Sequence, residues 1–365
     1  MADDGTLSVR DFGAVGDGAA DDTGAIQKAI DAAAERQGTV LVPPGTFCVS
    51  ALRLRPQTGL VGQPTWSYRD FGGSVLRLAD PDAPCLLDLT GAVGATVNGL
   101  SLDGGCQRVG QGERAYAGSA HGVMVDKPDF GQQEDDPRIE RCRIGGFAGD
   151  GIHFGRIWCW SVRHCMVCFN GGNGIHVRGW DGFLLDCWLS GNVGAGYATH
   201  DENASTTLTA NRIEWNREGG IVLNGSKNYN VTGNYLDRAG ACGIRLGPAD
   251  GRSNENITIV GNVIFRSGRP DWRPLDDHES SQAWLEAASG LVFANNTLRA
   301  WRDDGPHGQF SPRYGIVYRA LEDSIIKNNV MHQGALKKLL VDLHDHGENV
   351  IVADNVGKVF IPPEE

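Results

Sequence analysis

The sequence repeats with a period near 23 residues, and that period restricts the fold more than any other property of the chain. Between Arg138 and Val263, Cys142, Cys165, Cys187, Asn211, Asn234 and Asn262 are each followed two residues later by Ile, Val or Leu, at steps of 23, 22, 24, 23 and 28. A second landmark, Gly151-Ile152, Gly174-Ile175, Gly196-Tyr197, Gly220-Ile221 and Gly243-Ile244, steps by 23, 22, 24 and 23. Two landmarks keeping phase over four steps mark a solenoid, in which each repeat is one coil packed on its neighbours.

Composition supports coils and narrows the partners. Glycine is abundant, 51 of 365 residues, as expected of a chain that turns several times per coil. Formal charge is −12 with no basic cluster. Nucleic acid is therefore excluded as an expected partner, since its binding needs Lys and Arg to displace counterions. The same balance mildly disfavours a polyanionic substrate, unless a local patch departs from it. No run of about 18 apolar residues exists, so no membrane span is expected. The N-terminus lacks a basic region followed by an apolar one, so a cytoplasmic protein is expected, although a clipped signal or a phage origin would leave the same sequence. Nine cysteines, several on the repeat landmark, read as reduced thiols packed inward rather than as a disulfide framework.

The chain opens with a capping module. Asp21, Asp22 and Thr23 can start a helix whose apolar positions Ala25, Ile26, Ala29, Ile30 and Ala33 follow helical spacing. Gly38 would end it, before a buried strand Thr39–Val42 closed by Pro43-Pro44-Gly45. The segment from Asp11 through Gly18, with Asp21-Asp22-Thr23, Ala25-Ile26-Gln27 and Val42 to Gly45, resembles the N-terminal signature of the pectate-lyase-like superfamily. That family includes polygalacturonases, lyases, phage tailspike depolymerases and difructose-anhydride-forming fructotransferases. The resemblance implies an all-β fold, a right-handed single-stranded parallel β-helix with an N-terminal capping helix, acting on a poly- or oligosaccharide. It also implies that a homotrimer can form, as such relatives often trimerise side by side. The expected layout is a cap over 1–48 and a β-helix over 49–365, with loop insertions near 103–137, 266–290 and 301–313. Insertions of that length on a solenoid usually wall its binding face.

Strand alternation then sorts side chains by face. In Asn211-Arg212-Ile213-Glu214 it puts Asn211 and Ile213 inward and Arg212 and Glu214 outward. Asp237 holds the matching position one coil on, so the two carboxylates are expected side by side facing solvent, roughly 4.8 Å apart by strand spacing. Equivalent positions on other coils are Gly145, Cys168, Ser190 and Phe265, none of them acidic. A second row, after the Gly-Ile landmark, carries His153, His176 and Arg245. Two positions further lie Arg178 and His200, followed by the polar turn Asp201-Glu202.

Glycosidic cleavage requires one protonated and one ionised carboxyl, about 5–5.5 Å apart for retention, and like charges that close raise one pKa. Glu214 and Asp237 are thus the expected catalytic pair of a glycoside hydrolase or an intramolecular glycosyl or fructosyl transferase, with Asp201 and Glu202 as a rival pair or further members. His153, His176, Arg178, His200, Arg245, Trp188 and Tyr235 are the expected substrate-binding residues, the last two by stacking on sugar rings, while Trp215 is expected to fill the coil. Neither a cofactor nor a metal site is expected; the Cys165-Met-Val-Cys168 spacing lacks a second pair. A polysaccharide lyase is the alternative, with Arg178, Arg245 or His176 as candidate bases and calcium as electrophile. A non-catalytic glycan-binding solenoid is the second. Asp303 to Gly308 and Asp276 to Glu279 read as loops.

Overall fold

A computed structural model of the chain describes residues 6–63, 67–68, 70–110, 113–269, 275–300 and 310–361. It divides into two compact units, Met1–Phe183 and Leu184–Glu365.

The first unit contains the expected helix, Thr23–Ala34, which buries Ile26, Ala29, Ile30 and Ala33. Its start differs from the expectation. Asp22 makes no side-chain cap; its carboxylate instead accepts the backbone N–H groups of Val15 and Gly16 at 2.6 and 3.0 Å. Gly16, at φ +66°, leaves no room for a side chain because the Phe47 ring would lie 2.6 Å from its Cβ. The Asp- and Gly-rich entry is therefore a 3-10 turn, Val9–Phe12, and a short strand, Asp17–Asp21, joined by a turn that Asp22 holds. Parallel coils follow. Phe47, Leu76, Leu102, Ile144 and Val167 align in register on successive strands of one sheet, and all are buried. Strands Cys85–Asp88, His121–Val125 and Ile152–Arg163 stack in parallel on another face. Between Asp103 and Ala120 the coil is interrupted by a two-stranded antiparallel hairpin, Gln107–Arg108 with Arg114–Ala115.

The second unit repeats the pattern. Leu189, Ile213, Leu236, Ile264 and Leu298 align in register and are buried. The repeat landmark is an asparagine ladder. Asn211, Asn234, Asn262, Asn296 and Asn329 each donate an amide N–H to the side-chain oxygen of the next asparagine, ending at Asn355, at 2.9 to 3.1 Å. The second amide hydrogen goes to a backbone carbonyl, as from Asn234 to Leu208 at 2.9 Å. Each oxygen also accepts the backbone N–H of the previous asparagine. A buried amide is tolerated only when paired, and this ladder pairs every one through its neighbours. In the first unit the landmark is Cys142 and Cys165, buried thiols that donate to backbone carbonyls. All nine cysteines are free thiols.

The ladder predicts a contrast. Asn234→Ala strands several buried donors and acceptors at about 1–3 kcal/mol each, so a loss of roughly 3 kcal/mol is expected from denaturant midpoints. Cys165→Ala, which removes one weak donor and a small apolar volume, is expected to cost about 1 kcal/mol. Equal costs would mean that the amide pairing adds nothing to packing. Among the described residues, no helix is long and apolar enough to cross a membrane.

Candidate active site

In the first unit, strand alternation leaves His153 and Gly155 on the outer side of Ile152–Arg163, and His176 and Arg178 on the outer side of Ile175–Leu185. Three imidazoles stack there. The ring centroids of His121 and His153 lie 4.2 Å apart and those of His153 and His176 5.0 Å, the latter planes within 8° of parallel. Asp150, in the turn before Ile152, organises them. One carboxylate oxygen accepts His153 Nδ1–H at 2.8 Å; the other accepts both the backbone and side-chain N–H of Asn173 at 2.6 and 3.0 Å. The Asp150 backbone N–H in turn donates to His121 Nδ1 at 2.9 Å. Glycine makes the space: a Cβ at residue 172 would come within 2.4 Å of the Asp150 carboxylate, and one at 155 within 2.8 Å of the Asp126 carboxylate and 3.3 Å of His153 Nε2.

These contacts select the ring tautomers. Burial pushes the Asp150 carboxyl up, but the hydrogen bonds from His153 and Asn173, with the neighbouring imidazoles, outweigh it and hold it below the ordinary carboxylate value. An ionised Asp150 can only accept, so neutral His153 carries its proton on Nδ1 and presents a lone pair on Nε2. Burial, reinforced by His153, lowers the His121 pKa; neutral His121, with Nδ1 accepting, carries its proton on Nε2. The stack thus offers a base and a neutral N–H donor side by side. His121, Asp150 and His153 each offer one ligand atom within 4.8 Å of the others. The Asp150 carboxylate is already engaged by His153 and Asn173, and a single carboxylate does not fit the six to eight oxygen ligands that calcium prefers. The calcium of a lyase therefore has no fitting site in this cluster.

A pH dependence follows. A folded pKa below the unfolded one means that the unfolded chain takes up the proton first. The contribution of His121 is then present above about pH 6.5 and is lost as pH falls below it, and that of Asp150 is lost below about pH 4. Thermal midpoints should drop on the acid side in two phases, and His121→Gln should abolish the upper one; persistence of that phase in the variant would assign it elsewhere.

The second unit holds Glu214 and Asp237, and here the structure corrects the expectation. They are in-register neighbours, but they do not face solvent: Glu214 is 7% exposed and Asp237 2%. Glu214 accepts from Trp188 Nε1 at 2.9 Å and Arg212 Nε at 2.8 Å. Asp237 is forked by Arg266 at 3.0 and 2.8 Å and bound by Arg238 at 2.6 Å. Burial raises the Asp237 carboxyl; Arg266 and Arg238 pull against it, and Glu214 adds to the rise. Long neighbouring side chains have closed over an outward row. Nor is that row otherwise free of acid, since Asp103 pairs in register with Gly145 in the first unit.

The remaining expected residues do not converge on this pair. His200, Asp201 and Glu202 form the turn between strands Ala195–Thr199 and Asn203–Thr209, in a different sheet from Glu214 and Asp237. Asp201 binds Arg252 at 2.6 Å. Arg245 lies over Trp284 and faces Glu279 at 3.8 Å. Trp188 and Tyr235 are half-buried and flank the Arg212 guanidinium. Trp215 does not fill the coil: it is exposed, at positive φ, with Arg238 and Arg269 against its ring. Asp277 binds Tyr314 and Arg313, and Asp276 with Glu279 closes a capping box, so that segment is an ordered loop. Asp303 to Gly308 lie outside the described residues.

Sequence alternation found His153, His176 and Arg178 but missed Asp150 and His121. The usable signal was Asp150 three residues before His153 and directly before the Gly-Ile landmark.

Comparison with known proteins agrees with this architecture. Residues 6–69 match the family described as rhamnogalacturonase A/epimerase, pectate lyase-like. Mannuronan C5-epimerase AlgE2 of Azotobacter vinelandii is 28% identical over 285 residues, 72% of this chain and 25% of that protein. The chain spans a quarter or less of the length of the mannuronan epimerases that head its curated relatives. Among solved structures, the A-module of mannuronan C-5 epimerase AlgE4 from the same organism superposes with a TM-score of 0.64 at 19% identity, covering 96% of this chain and 99% of that one. DFA-IIIase from Arthrobacter chlorophenolicus A6 gives 0.65 at 16% identity, covering 96% and 93%. Residues 150–356, more than half of the chain, match the right-handed β-helix region, and the chain belongs to that family.

Proposed function

We propose that the chain is a carbohydrate-active enzyme that moves a proton at the carbon beside a uronate carboxylate, with His153 as the base. The observation that carries this reading is the His153–Asp150 contact at 2.8 Å, which leaves a basic Nε2 beside the space kept by Gly155. The sequence similarity to mannuronan C5-epimerases supports it, because C5 of a uronate is such a carbon. Asp150 holds the imidazole in one tautomer and stabilises the imidazolium formed when His153 takes the proton. Arg178, two residues beyond His176 on the same strand face, is placed to bind the substrate carboxylate. Return of a proton to the opposite face inverts the carbon; loss of the neighbouring oxygen substituent gives an unsaturated sugar instead. Both outcomes share the first step.

Glycosidic cleavage by Glu214 and Asp237 is the second reading. It is favoured by their adjacency and the raised Asp237 carboxyl, and disfavoured by the arginines that occupy both.

Incubation with mannuronan, polygalacturonate and a neutral glucan in D2O separates these. Deuterium at C5 without chain shortening is the expected product for epimerisation, and an ultraviolet-absorbing chain end for elimination. Shortening with new reducing ends but neither deuterium nor an ultraviolet-absorbing chain end would sink the proton-transfer reading.

A further inference from the structure

We propose that the first unit carries a second saccharide site, a cationic cleft that binds the carboxylates of a uronate oligomer away from the imidazole stack. The cleft has a volume of about 940 Å³, within the range of about 300–1,000 Å³ that accommodates ligands of drug size. That is room for an oligosaccharide fragment rather than a bare ion. It shares no lining residue with the stack.

Its charge runs against that of the protein. Four guanidinium groups line it, Arg77, Arg108, Arg114 and Arg143, against the carboxylates of Asp70 and Asp103, in a chain of net charge −12. Asp103 is already paired with Arg77 at 2.9 Å. Arg114 and Arg143 are held flat on aromatic faces: their Cζ atoms lie 3.6 Å from the Phe169 ring centroid and 3.5 Å from that of Phe71. Stacking occupies the face of a guanidinium and leaves its edge donors; Arg143 spends Nε on the Ser67 carbonyl, which leaves its Nη edge for a carboxylate.

Arg143 gives the independent sign of a ligand. It is 2% exposed, and its Nη1 has no hydrogen-bond partner among the described residues. Burial costs a charged guanidinium its hydration and lowers its pKa, and a buried donor left unmade adds to that cost. An anion in the cleft satisfies both. Arg108 and Arg114 arrive on the antiparallel strand pair Gln107–Arg108 and Arg114–Ala115, an insertion into the coil whose contribution to the cleft is these two cations.

The inference rests on the uronate reading, and binding separates it from catalysis. Calorimetry on the full chain carrying His153→Asn, with a mannuronate trimer as probe, should show a site whose affinity weakens with salt. Arg114→Gln should weaken that site at least tenfold, Arg143→Met should do the same, and a carboxyl-reduced trimer should not occupy it. If Arg143→Met fails to fold, Arg114→Gln, on the hairpin, still decides the matter. Binding unchanged by Arg114→Gln would overturn the proposal, as would equal binding of the reduced trimer, or sulfate binding as tightly as the trimer. Retention of the Arg114-dependent site in a protein that yields neither deuterium at C5 nor an unsaturated chain end would sustain the cleft and reject the catalytic reading alone.

Discussion

His153→Asn is expected to lower turnover on a uronate polymer by about 10²- to 10⁴-fold, the contribution typical of a positioned acid or base. The variant should keep its thermal midpoint, because the ring is half-buried and the coil core beneath it is made by Ile152 and Phe154. Asparagine can still donate toward Asp150, but it has no basic nitrogen at the position of Nε2. Asp150→Asn should also slow turnover, by roughly 10²-fold or more. An amide cannot carry the negative charge that stabilises an imidazolium, and its NH2 group would favour the wrong tautomer of His153. That variant should lose stability as well, since the carboxylate accepts from Asn173 twice. The two substitutions therefore separate a base from a residue that positions it: the first changes rate alone, the second rate and fold together. A His153→Asn protein retaining more than a tenth of the wild-type rate would remove His153 from the chemistry. If Glu214→Gln abolished turnover in that case, the carboxylate pair would replace it.

Much of the fold was legible because the repeat landmark is a physical requirement. An asparagine inside a coil survives only if the next coil supplies its partner, so Asn211, Asn234, Asn262, Asn296, Asn329 and Asn355 had to recur in phase. The phase also predicted register, down to Glu214 opposite Asp237. It did not predict exposure. Alternation assigns a face, and whether that face is wet depends on what lies across it. Here Trp188, Arg212, Arg238 and Arg266 lie across it, and the length of those side chains has no counterpart in a two-residue period. Asp150 and His121 escaped notice for another reason. Asp150 sits in a turn and His121 at the first residue of a strand, where alternation does not constrain direction. The cationic cleft escaped because its hairpin keeps no phase with the coils, and net charge concealed a local excess of arginine.

The second large effect concerns the pair that the phase did predict. Arg266→Met should destabilise the protein by about 3–5 kcal/mol, the usual cost of leaving a buried charge without its partner. Asp237 is 2% exposed and Arg266 5%, so neither group can turn to water. Arg238 alone, bonded to one oxygen at 2.6 Å, cannot satisfy both. The loss should depend on pH with a definite sign. Without Arg266 the Asp237 carboxyl rises further above its unfolded value of about 3.9, so the folded variant binds a proton that the unfolded chain releases. The deficit should be largest near neutrality and shrink as pH falls toward 4. Replacing both members, Arg266→Met with Asp237→Leu, should recover most of the loss, because an apolar pair of similar volume carries no desolvation penalty. Recovery of stability with C5 exchange intact would fix Asp237 as a structural ion locked inside the coil. Recovery of stability with turnover gone would instead return the pair to the chemistry, since a carboxylate that is dispensable for folding yet required for rate has to act on the substrate.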